Sequence, residues 1–150
     1  MDRPEVTLRE VSADTVRAIC NLDAGPGAEN FVAPNAVSIA QAYFEPAAWF
    51  RAIYASDQPV GFIMLEDDVA NQEYTLWRLM IDQRYQRMGY GRRAVELLID
   101  YVRTRPGATE LQTSYVPGER GPADFYRGLG FTPTGEVDED GEIQVRLVLP

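Results

Sequence analysis

Leu79-Met80-Ile81-Asp82-Gln83-Arg84-Tyr85-Gln86-Arg87-Met88-Gly89-Tyr90-Gly91-Arg92-Arg93 is the stretch that decides the fold. Its first three residues belong to a β-rich run, Glu73 to Asp82, whose mostly apolar second half predicts a strand covered on both faces. Beyond it, Ala94, Leu97, Leu98, Tyr101 and Val102 recur at helical spacing until Pro106-Gly107 stops them. Two glycines two residues apart, where a strand feeds a helix, let a ligand approach the backbone closely. They also aim free N–H groups, with the helix dipole behind them, at an anion. Arg84, Arg87, Arg92 and Arg93 crowd this turn in a chain of net charge −9, which points to a phosphate-bearing ligand. Taken alone, the turn also fits a tight connection with a solvated basic helix start. It lacks the lysine of a P-loop and the third glycine of a dinucleotide fingerprint.

Outward from this centre the chain alternates strands and helices. Val6 to Val11 has the period of a half-buried strand, and Ser12 offers an N-cap for a helix running to Leu22. Asp23 to Pro34 reads as a loop long enough to be functional, followed by a helical stretch around Ala36 to Tyr43. Phe50–Tyr54 and Val60–Leu65 predict a hairpin across the turn Ser56-Asp57-Gln58-Pro59. On the other side, Glu110 to Tyr115 reads as a strand, and Pro122 stands where a short helix begins that Gly128 and Gly130 end. Phe131–Val137 and Ile143–Leu149 form a final pair joined by an acidic turn. The pattern is a mixed α/β (α+β) single domain spanning residues 1–150, with a strand-helix-strand crossover at its centre.

Composition narrows the chemistry. All 14 basic residues are arginine against 23 acidic ones, and there is neither lysine nor histidine. Histidine bases, Ser-His-Asp and Cys-His arrangements, histidine metal ligands and Schiff-base lysines are therefore excluded. What remains is carboxylates, tyrosines, arginines, backbone groups and Cys20, which reads as a small core residue. A single cysteine and a charged N-terminus predict a cytoplasmic protein without a membrane span, and the acidic balance argues against nucleic acid and for a cationic small molecule.

Gln86-x-x-Gly89-x-Gly91 after Leu79-Met80-Ile81 resembles the acetyl-CoA signature of the GNAT N-acetyltransferase superfamily, and Phe125-Tyr126-Arg127-Gly128-Leu129-Gly130-Phe131 resembles its second signature, one strand later. Val60 to Met64, Arg78, Tyr85-Gln86 and Gly135-Glu136 look most like bacterial spermine/spermidine acetyltransferases. The resemblance implies a central sheet of about six to seven strands with about four helices. It implies a splayed strand whose Leu79, Met80 and Ile81 pair with the pantetheine arm of acetyl-CoA, and amides from Arg87 through Met88, Gly89, Tyr90 and Gly91 to Arg92 around its pyrophosphate, with Gln86 shaping the turn. A backbone N–H near Met80 would polarise the thioester, and Tyr126 would be the general acid for the leaving thiol. No metal is implied. The acceptor would be a primary amine, polyamines first, attacking directly in a ternary complex. The alternatives are a protein N-terminus, an aminoglycoside-like amine, or a non-catalytic acyl-CoA sensor. A homodimer is left open.

The base is not fixed by the resemblance. Polyamine acetyltransferases often carry a carboxylate near position 77, where this chain has Trp77 followed by Arg78, so Glu73, Glu29, Glu119 or a water chain remain as alternatives. Glu119 stands where many relatives place an Asn against CoA. The acid runs Glu66–Asp68 and Glu136–Glu142 read as solvated turns, and Tyr43, Phe44 and Trp49 as core or as a lining of the acceptor pocket.

Overall fold

The computed structural model describes residues 3–27, 32–118 and 121–150. Along the chain come β1 (Val6–Arg9), α1 (Val16–Cys20), α2 (Asn35–Tyr43), β2 (Ala48–Ala55), β3 (Gln58–Asp68), β4 (Glu73–Ile81), α3 (Tyr90–Arg103), β5 (Glu110–Tyr115), α4 (Ala123–Gly128), β6 (Thr132–Val137) and β7 (Ile143–Val148). A 3₁₀ turn, Gln83–Tyr85, links β4 to α3. The strands form one mixed sheet in the order β1-β2-β3-β4-β5-β7-β6, antiparallel throughout except where β4 meets β5. The predicted α/β architecture, with a crossover helix between two parallel strands, is what the structure shows.

Alternation along β3 sorts the core into two layers. Ile63 and Leu65 face α3, whose buried stripe Ala94, Val95, Leu98, Ile99 and Val102 contributes about 1.5–3 kcal/mol for each large aliphatic side chain. Phe62 and Met64 face the other way, onto Ile19 and Leu22 from α1 and its C-terminal end. Tyr126 and Phe131 join the α3 layer, so α3 and α4 share one side of the sheet.

Several local readings are corrected. Ser12 does not cap a helix: its amide and hydroxyl close on Thr15 Oγ1, and α1 starts four residues later. Ile19, not Cys20, enters the core, leaving Cys20 half-buried. The hairpin turn is only Ser56-Asp57; Pro59 already lies in β3, beside the register shift at Ile53/Tyr54, where the ladder is irregular. Within the acid run Glu66–Asp68, Asp67 accepts from Tyr101 Oη and Arg105 Nε and pins the end of α3. Burial, helped by Glu45, Asp68 and Glu73, raises the Glu66 carboxyl above its ordinary value.

Candidate active site

A cleft of about 880 Å³ opens where β4 leaves β5. Parallel pairing between the two strands is confined to Thr75–Gln112 and Leu76–Thr113. The cause lies on the opposite edge of β4: against β3 the register passes from Leu65–Leu76 to Met64–Arg78, so Trp77 is the extra residue of a β-bulge. A bulge bends and twists its strand. Past it, Trp77 to Ile81 follow β3 and diverge from Thr113–Tyr115, and all of these residues line the gap. At the fork the Thr113 hydroxyl donates to the Leu76 carbonyl at 2.8 Å.

The β4–α3 turn closes one end of the cleft. Asp82, almost fully buried, accepts from the Arg84 amide and Nε at 2.9 Å and from the Asp23 amide at 3.0 Å. The Arg84 guanidinium holds its carboxyl at about 2, against the burial that works to raise it. Gln86 Nε2 donates to the carbonyls of Ile81 (2.9 Å) and Ala24 (3.0 Å), so one side chain ties the strand end to the loop after α1. Arg87 and Gly89 take left-handed backbone conformations, φ 65° and 84°, and Gly89 is the N-cap of α3. No side chain caps this helix, so the first-turn amides of Tyr90, Gly91 and Arg92 lack intrahelical acceptors.

Tyr126 forms the wall under the fork. It is 7% exposed, packs edge-on against Phe125 and Phe131, stacks on Tyr115 at 6.0 Å, and lines the cleft. Burial pushes its phenol up to about 12, with the Thr113 hydroxyl beside it pulling part of the way back. The phenol is thus a proton donor across the whole neutral range.

Leu79, Met80, Ile81, Gln86, Arg87, Gly89, Tyr90, Gly91, Arg92 and Tyr126 therefore meet in one cleft. Met88 is expected at this turn for its amide, between Arg87 and Gly89, and its half-exposed side chain lies in a neighbouring groove between α3 and β1. Trp49 also lines that groove, stacked on Tyr101 at 4.6 Å, while Tyr43 and Phe44 are exposed at the C-terminal end of α2, and none of the three lines the β4–β5 cleft. Glu73 stands exposed at the opposite end of β4, and Glu29 and Glu119 lie outside the described residues. Among the described residues the carboxylate that lines the cleft is Glu142, a residue the sequence hid within an acid run. The Asp138 carboxylate accepts from the Asp140 and Glu142 amides at 2.9 Å, folding the turn so that Glu142 approaches Ser114 Oγ of β5. Arg78 lines the same cleft, as do Trp77, Pro26, Val32 and Ala33.

Compared with known proteins, residues 18–131 match the model of the acetyltransferase (GNAT) family. The chain is 25% identical over 147 residues to the spermine/spermidine N(1)-acetyltransferase of Bacillus subtilis (strain 168), an alignment covering 91% of this chain and 94% of the relative. Its fold is similar to that of the spermidine N-acetyltransferase from Vibrio cholerae in complex with CoA and spermine, with TM-score 0.77, 14% identity, and coverage of 96% and 95% of the two chains. It is also similar to the ribosomal-protein-S18-alanine N-acetyltransferase from Escherichia coli, with TM-score 0.70, 20% identity, and coverage of 97% and 94%. No helix among the described residues is long and apolar enough to cross a membrane.

Proposed function

The chain belongs to the GNAT acetyltransferase family and is an acetyl-transferring enzyme, and we propose that the β4–β5 cleft moves the acetyl group of acetyl-CoA onto a primary amine. The observation that carries this reading is the fork itself: an opened parallel pair with Tyr126 beneath it and uncapped helix amides at one end. The parted backbone of Leu79, Met80 and Ile81 pairs with the amide-bearing arm of the donor as an added strand would. The amides of Tyr90, Gly91 and Arg92, with Arg87 and Arg92 beside them, take its phosphates. Gln86 fixes the turn that presents them.

In the transfer, the amine nitrogen forms a bond to the acetyl carbonyl carbon while the C–S bond breaks. Because the Asp82 amide donates to the Val60 carbonyl, strand alternation turns the Met80 amide toward Phe62 of β3 and leaves the Leu79 and Ile81 amides facing the fork, where the Leu79 N–H can donate to the carbonyl oxygen that gains charge. The proton lost by the amine leaves through Glu142 or water held by it, and the thiolate receives a hydrogen bond or proton from Tyr126. A buried phenol near 12 is a weak acid, so stabilisation of the leaving sulfur by an O–H donor is its larger contribution.

Polyamines head the acceptors to test on the strength of the names of the sequence relatives, and the acidic turn around Glu142 supplies a field that attracts an ammonium ion. The test is release of free thiol from acetyl-CoA over spermidine, spermine, diamines, amino acids and peptide amines. Amine-dependent release is the expected outcome. Acetyl-CoA binding with no release over the whole panel would overturn the assignment in favour of an acyl-CoA sensor.

A further inference from the structure

The acceptor half of the cleft contains a charge that an amine alone leaves unanswered. Arg78 follows the bulged Trp77 on β4 and lines the cleft. Its Nη1 donates to the Trp77 carbonyl at 3.2 Å and its Nη2 to Gln41 Oε1 of α2 at 3.1 Å. Nε is buried and meets no acceptor among the described residues. Burial lowers the pKa of this guanidinium, and Glu142 pulls it back up. A half-buried guanidinium whose Nε is sealed from water without an acceptor is costly unless a partner supplies an oxygen, and here the wall on which it stands belongs to a ligand cleft.

Glu142 is close enough to act on Arg78 electrostatically, yet no ion pair within 4.0 Å joins them among the described residues; Glu142 rests on Ser114 instead. A cation and an anion that line one cleft without neutralising each other are complementary to a molecule carrying both signs.

We infer that the acceptor is an amine bearing a carboxylate a few bonds away, an amino acid or a compound of that shape, with its carboxylate on Arg78 and its amine toward Glu142. The inference rests on the amine-acetylation reading and names its acceptor class. The carboxylate takes no part in the chemistry: the amine nitrogen acquires the acetyl group, its proton passes to Glu142, and the thiol leaves. A polyamine satisfies Glu142 but brings further positive charge against Arg78.

Pairs of acceptors that differ at the carboxylate separate the two classes: lysine beside cadaverine, ornithine beside putrescine, alanine beside alaninamide, with spermidine as the polycation. With acetyl-CoA saturating, thiol release by the wild-type protein is expected to show a kcat/KM about ten- to hundredfold higher for the carboxylate-bearing member, the scale of charge-assisted hydrogen bonds. Arg78→Gln should close that gap by lowering kcat/KM for the amino acids about tenfold or more beyond any change in the plain amines, and Arg78→Lys should restore part of it. Equal rates within each pair, or spermidine ahead of every amino acid, overturns the inference and leaves acetyl transfer standing. Silence from the wild-type protein with every amine overturns both. Should the variants fail to fold, the wild-type comparison decides by itself.

Discussion

The two halves of the cleft are built on different principles. The donor half, from Leu79 to Arg92, is contiguous in sequence and presents mostly backbone: a parted strand edge, a turn with Arg87 and Gly89 at positive φ, and the uncapped amides of α3. The acceptor half presents side chains from separate elements, Trp77 and Arg78 on the β4 bulge, Ser114 on β5 and Glu142 on the β6–β7 turn, faced by the loop before α2. A backbone site for one fixed donor tolerates varied side chains so long as the glycines remain. A side-chain site can be retuned for a new acceptor without disturbing the first.

The largest effect expected to break this division is in the donor half. A Cβ on Gly91 would meet Ile81 and Phe125 at 3.5–3.6 Å, ordinary contact distance, so Gly91→Ala should fold and bind, whereas Gly91→Trp fills the cleft. Calorimetry should find acetyl-CoA affinity reduced roughly 10²-fold or more in Gly91→Trp, the cost of losing most of the phosphate contacts; near wild-type affinity would mean the donor lies elsewhere. In the acceptor half, Glu142→Gln should lower kcat/KM for the amine about 10- to 100-fold and leave acetyl-CoA affinity in place. If the donor affinity fell in parallel instead, the two halves would not be separable.

The smallest effect concerns the seam between them. Asp82 joins the Asp23 amide to Arg84, and its removal as Asp82→Asn should cost about 1–3 kcal/mol in denaturant unfolding. Because its carboxyl is held at about 2 in the folded chain against 3.8 ordinarily, the folded state binds fewer protons here than the unfolded state. That stabilisation is fully present above pH 3.8 and is lost as the pH falls toward 2. The wild-type protein should lose stability across that window, and the Asn variant should lose less.

The same contrast explains what could be read from the chain. The donor half was legible because its chemistry is local: Gln86, Gly89 and Gly91 stand within six positions, and the apolar β4 and the amphipathic α3 flank them. The parallel β4–β5 pair follows from the strand-helix-strand crossover. The acceptor half was not legible, because nothing in Glu136–Glu142 marks which of its acids faces the cleft. That depends on the Asp138 turn and the β5–β7 register, which bring Glu142 to Ser114. Nor does Trp77-Arg78 announce a bulge, since the extra residue is defined only against Met64 and Leu65 of β3. Tyr43 and Phe44 misled for the related reason that an aromatic pair near the end of a helix carries no sign of which way it turns; here both are exposed.

The central claim is that the thiol of the donor leaves beneath the fork, against Tyr126. Its most direct test is kcat for amine-dependent thiol release by Tyr126→Phe, measured with both substrates saturating so that binding does not enter. The phenyl ring keeps the packing on Phe125, Phe131 and Tyr115 and removes only the O–H. The account predicts a fall of roughly 10²-fold; turnover at the wild-type rate would contradict it.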